Sequence, residues 1–158
     1  MKLIYILIAI IILYTICYYI FPSELSILQT NIDNFNFSLL SKRQPIVISD
    51  YIHEPEKVID SWFKYNFINK IDDDNDNNDW KHNNYKYLFI NANKDVEVII
   101  YKAQITKVNP TSNDKIIIIK LEKNQSLIIP FKWKYYISND CKLWGVDDLI
   151  TSSFGKFF

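Results

Sequence analysis

Glycine occurs only twice in this chain of 158 residues, at Gly145 and Gly155, which excludes the glycine-rich loops that cradle phosphates in nucleotide-binding folds. Cysteine is as scarce: Cys17 falls in an apolar amino-terminal stretch and Cys141 stands alone beyond it, so paired-cysteine metal motifs are missing and the rest of the chain cannot close an internal disulfide. With no histidine near it in the sequence, Cys141 reads as a packed thiol rather than a nucleophile. The only histidines, His53 and His82, leave no serine-histidine-acid arrangement and no cluster with metal-ligand spacing. Charge of either sign is not in excess, with 18 basic and 18 acidic residues. No basic run is longer than Lys42-Arg43, so the electrostatic footprint of a nucleic-acid-binding protein is absent.

What is present begins with Leu3 to Phe21, a stretch without a formal charge. As a helix it would rise roughly 28 Å, close to a bilayer's hydrocarbon core. Bulky residues at Cys17-Tyr18-Tyr19-Ile20-Phe21-Pro22 disfavour signal cleavage, so the expectation is a retained single-pass anchor contacting membrane lipid through residues 3–21. Lys2 before the stretch, against Glu24 and Asp33 after it, places the carboxy-terminal domain on the lumenal or external side of a viral or intracellular membrane. The expected organisation is an anchor at 1–21, a stalk at 22–34 and one β-rich domain at 35–158.

Within that domain Phe35, Phe37 and Leu39 alternate with polar residues as in a half-buried strand, and Gln44 to Asp50 reads as a second strand. His53 to Ile71 changes to a helical period, with Val58, Ile59, Trp62, Phe63 and Phe67 on one face and Pro55 in the first turn. Residues 72–84, DDDNDNNDWKHNN, read as an acidic, asparagine-rich mobile loop. Asp72, Asp74, Asp76 and Asp79 could offer oxygen ligands to calcium, but the glycine turn and terminal glutamate of a calcium loop are missing. Strands follow at Tyr85 to Ile90, Val96 to Ile105, Lys115 to Leu121, Ser126 to Ile129 and Tyr135 to Ser138, with a short helix near Val146 to Ile150. The expected fold class is mainly β with one early helix, a small barrel or sandwich. Asn36-Phe37-Ser38 and Asn124-Gln125-Ser126 are glycosylation sequons, usable if exposed in a secretory lumen.

Two stretches, Lys42 to Asp50 and Leu121 to Ile137, resemble the cupin-like branch of the Jumonji-related oxygenase superfamily. The first is similar to that family's arginine-proline-hydrophobic strand, the second to its late strand leading into a proline, a tryptophan and the final metal histidine. The resemblance implies a cupin-like barrel with Pro130, Trp133 and Tyr135 as a pocket or structural motif. It also implies loss of the iron site, because Tyr135 stands where the histidine would be and no histidine-x-acid pair precedes it. Pro130 and Trp133 have structural roles open to them without catalysis, and Lys132 and Lys134 read as snorkelling or exposed charges rather than catalytic amines, with a specific anion contact as the alternative. The functional expectation is a noncatalytic, membrane-tethered interaction or structural protein with no cofactor and an unidentified protein partner. The alternative is an atypical oxygenase using iron and 2-oxoglutarate.

Overall fold

The computed structural model describes residues 2–20, 25–71, 79–102, 109–111, 114–138 and 141–154. Four helices and ten strands follow in the order α1 (Lys2–Ile20), β1 (Leu28–Thr30), α2 (Phe37–Ser41), β2 (Ile46–Ile48), α3 (Pro55–Trp62), β3 (Phe67–Ile71), β4 (Lys81–His82), β5 (Tyr87–Ala92), β6 (Val96–Tyr101), β7 (Ile116–Leu121), β8 (Ser126–Pro130), β9 (Lys134–Ile137), β10 (Cys141–Asp147) and α4 (Leu149–Phe154), with a single 3-10 turn at Ile32–Asn34. The strands form two open sheets, one of six strands in the order β1-β2-β8-β5-β10-β3 and one of four in the order β4-β9-β6-β7. The fold is therefore mixed α/β rather than mainly β, and its sheets do not close into the expected cupin-like barrel.

The reason lies in what covers the larger sheet. On one side Leu88, Ile90, Leu127, Ile129 and Leu143 pack against Val98, Ile100, Ile119, Trp133 and Tyr135 of the smaller sheet. On the other side Phe89, Ile128, Trp144 and Val146 pack with Leu40 of α2 and with Ile59 and Phe63 of α3 and its end. A sheet buried on both faces needs apolar residues at consecutive positions. That requirement accounts for the fully buried runs in β5 and β8. The helices form a third layer on the face of the larger sheet turned away from the smaller one.

Local competition explains the other departures. Phe37–Ser41 is a helix, not a strand, because Asn36 caps it by accepting the Leu39 N–H on its side-chain oxygen at 3.3 Å. The helix expected through Ile71 stops at Trp62, and Phe67–Ile71 instead pairs antiparallel with β10. Cys141–Asp147 is a strand with the terminal helix following it, because β10 is flanked on both sides, by β3 and β5. β1 and β2 pair in parallel, with Leu28 opposite Ile46.

The membrane anchor and everything attached to it also require correction. Among the described residues, no helix is long and apolar enough to cross a membrane. The signal-anchor, the single-pass topology, the contact with lipid through residues 3–21, the lumenal placement and the membrane-tethered role all rested on that span, and none is supported.

Gly145 fills a specific need. It lies on the face of β10 that looks toward the second sheet, and a Cβ built there would fall 2.3–2.5 Å from ring atoms of Tyr85. Gly145→Ala is expected to cost about 1–3 kcal/mol of unfolding free energy through overpacking. Urea titration will measure it, and combining the change with Tyr85→Ala should recover part of the loss.

Candidate functional site

The chain passes from the six-stranded to the four-stranded sheet at Phe131-Lys132-Trp133, between β8 and β9. Lys132 has a left-handed backbone with φ 68°. A non-glycine residue there is uncommon and is held by its surroundings. Here the support is Asn83, only 1% exposed. Its side-chain NH2 donates to the carbonyls of Ile129 and Pro130, each at 2.9 Å, and its side-chain oxygen accepts the Tyr85 N–H at 2.9 Å. Its backbone N–H donates to Trp133 O at 2.9 Å and its carbonyl accepts the Lys132 N–H at 3.1 Å. One asparagine thus fixes both ends of the corner.

Trp133 and Tyr135 are 1% and 5% exposed and turn into the core between the sheets. Burying an indole of that size contributes on the order of 5 kcal/mol before entropy is counted. Pro130 closes β8 opposite Tyr87. The motif suggested by the sequence is therefore a buried corner, and the polar groups beside it point elsewhere.

Because side chains alternate along a strand, Lys134 and Tyr136 project from the outer face of the smaller sheet while Tyr135 projects inward. Register places His82 of β4 opposite Lys134 on one side and Tyr101 of β6 opposite it on the other. Trp80 packs edge-on against Tyr101, with ring centroids 5.0 Å apart, and lies 5.9 Å from Tyr136. Lys134 is the unexpected member. It is only 4% exposed, its stem buried as a snorkelling lysine's is, and among the described residues its side chain makes no hydrogen bond or ion pair. Burial lowers its pKa.

Further cations approach the same corner. Arg43 lies in the turn after α2, shortly before β2 pairs with β8 through Ile46 and Ile128. Arg43 is itself left-handed, with φ 53°. Tyr101 pairs with Lys134, so Lys102 follows at the level of Trp133. The pKa of Lys102 is lowered first by desolvation and then by the charges of Arg43 and Lys132. Lys102 itself is solvent-exposed. His82 has a lowered pKa too, mainly through burial and further through Lys134 and Lys132, against a raising hydrogen bond to Asn84.

No family model, curated protein or solved structure matches this chain. The two stretches that carry the cupin-like resemblance do lie side by side, because β2 pairs with β8. The histidines do not come together: His82 belongs to the corner at the end of β8, whereas His53 meets Asn124 at its beginning, 3.3 Å from ring nitrogen to side-chain amide. Among the described residues no three histidine, cysteine or acidic side chains group as metal ligands. Asp72, Asp74 and Asp76 of the calcium reading lie outside the described residues, and Asp79 is exposed.

Of the sequon asparagines, Asn36 is the exposed cap of α2 and Asn124 is a half-buried left-handed turn residue with φ 68°. Cys141 is buried in the core between the sheets. Sequence reasoning missed Asn83, which falls in the acidic, asparagine-rich run, as well as the convergence of Arg43, Lys102 and Lys132. The available signal was positional: Lys132 and Lys134 bracket Trp133 in a corner with no glycine.

Two outcomes follow. Asn83→Ala strands two carbonyls and an N–H in the interior and is expected to cost roughly 3 kcal/mol, seen as a lower urea midpoint at unchanged slope. For His82 a lowered folded-state pKa means that the native state binds fewer protons than the unfolded chain, so its contribution is present above the unfolded-state value of about 6.5 and is lost as pH falls from there through the lower folded-state value. The unfolding free energy of the native chain should therefore drop relative to that of His82→Asn between about pH 7.5 and pH 5.

Proposed function

We propose that this protein is a binding module that recognises an oxyanion, a phosphate, sulfate or carboxylate group, at the cationic corner formed by Lys132, Lys134 and His82 and flanked by Arg43 and Lys102. The observation that carries the reading is Lys134: the residue is 4% exposed with its stem buried, while its ammonium reaches solvent with no side-chain hydrogen bond or ion pair among the described residues, in register opposite His82. A partly desolvated cation with no countercharge beside it gains from an anion bound there. Left-handed backbone at both Arg43 and Lys132 supports the same reading, since strain of this kind concentrates at ligand sites. A relationship to the cupin-like branch belongs to the proposal only as ancestry. It is supported by the adjacency of the two resembling stretches and carries no oxygenase chemistry.

The test sets stability against binding. Lys134→Met replaces the cation with an apolar side chain of similar length, so it should raise unfolding free energy by about 1 kcal/mol. It should also abolish the thermal stabilisation that low-millimolar inorganic phosphate gives the native chain over chloride at matched ionic strength. A native chain indifferent to phosphate, or a Lys134→Met variant that responds as strongly as the native chain, would overturn the reading.

A further inference from the structure

The ring of His82 is held by a neighbour whose chemistry fixes where its proton sits. Nδ1 of His82 lies 2.7 Å from the side-chain oxygen of Asn84. An amide oxygen only accepts, so Nδ1 carries the hydrogen and donates it, and in the neutral ring Nε2 is left with a bare lone pair. A bare lone pair repels the lone pairs of an oxyanion. The same nitrogen becomes a charged donor once the ring is protonated, and charge-assisted bonds to oxyanions are about twice as strong as neutral ones.

Burial first, and then the cations around it, oppose protonation of His82. Lys134 faces it from β9 and Lys132 lies beside it at the corner, while Tyr101 of β6 occupies the far side of Lys134. On its own segment Asp79 and Lys81 precede it and Asn84 follows. Lys102 and Arg43 extend the cationic side through Lys132. An anion placed between Lys132 and Lys134 would cancel much of the repulsion that these lysines exert on an imidazolium, so anion and proton would favour each other.

We infer that His82 is the titrating member of the site and that oxyanion binding is coupled to uptake of one proton on Nε2 of its imidazole. The inference rests on the oxyanion-binding reading above and adds its regulation: capture at acidic pH, release as pH rises past neutrality. The proton comes from solvent and returns to it, and no covalent bond changes.

Sulfate is the probe, because its charge is constant across the range examined, whereas phosphate titrates within it. With only His53 and His82 in the chain, long-range proton–nitrogen NMR follows both imidazoles in the intact protein. Sulfate should raise the His82 midpoint by half a unit or more. Native-chain affinity for sulfate should be several-fold tighter at about pH 5 than at pH 7.5, as linkage of one proton requires. His82→Asn, with His82→Gln as a second variant should the first fold poorly, should bind sulfate with an affinity that no longer depends on pH. Sulfate binding that is flat with pH in the native chain, or an unmoved His82 midpoint, would overturn the proton coupling alone. Absence of sulfate binding at every pH would overturn the oxyanion site with it.

Discussion

The rest of the structure depends on how β8 is fastened. This strand lies in the larger sheet between β2 and β5, is buried on both faces and hands the chain over to the smaller sheet. Both of its ends are pinned by buried asparagines. Asn83 holds the corner that follows it. Asn91, 2% exposed, donates to the carbonyls of Ile52 and Asn124 and to the Ser126 hydroxyl at 3.0–3.2 Å where the strand begins. Each flanking turn contains a left-handed non-glycine residue, Asn124 or Lys132. Polar side chains with their hydrogen bonds satisfied do here what glycine does in other chains: they hold a turn that the backbone alone would not favour.

That fastening also sets the chemistry of the corner. With Trp133 and Tyr135 committed to the core, alternation along β9 sends Lys134 and Tyr136 to the opposite face, where β4 brings His82 alongside. Packing and charge placement are thus one event. The indole that seals the interior between the sheets fixes the register that buries a lysine on the outside. The Lys86–Asp148 ion pair, 2.6 Å and partly buried, offers a contrast, since its cation has a carboxylate partner and Asp148 also accepts the Thr151 N–H that starts α4. Lys134 has no such provision.

Much of the strand content was legible because β-branched runs such as Ile116–Leu121 and Val96–Tyr101 admit little else. The larger architecture was less so. A strand buried on one face and a strand buried on two differ in periodicity, but β8 is too short for its apolar run Leu127-Ile128-Ile129 to reveal a helix layer behind it. Asn36 was read as a sequon and not as a cap, although its side chain outcompetes the period-two pattern that follows. Within residues 72–84 composition concealed position: Asn83 has many polar neighbours in sequence, and only long-range pairing makes it an interior residue. How deeply Lys134 is buried was hidden for the reverse reason, since lysine is exposed so regularly that nothing local announces an exception.

The pairing order also bears on how the chain reaches this state. Ile46 must find Ile128, and Tyr87 must find both Pro130 and Val146, before either asparagine has carbonyls to bind. With so little glycine to favour tight turns early, the corners form as a result of long-range contact instead of initiating it. Chains governed by distant contacts fold over milliseconds to seconds rather than microseconds. During that interval the apolar strands destined for burial on both faces remain open to pairing with other chains, so the scarcity of glycine becomes a matter of folding speed and aggregation risk.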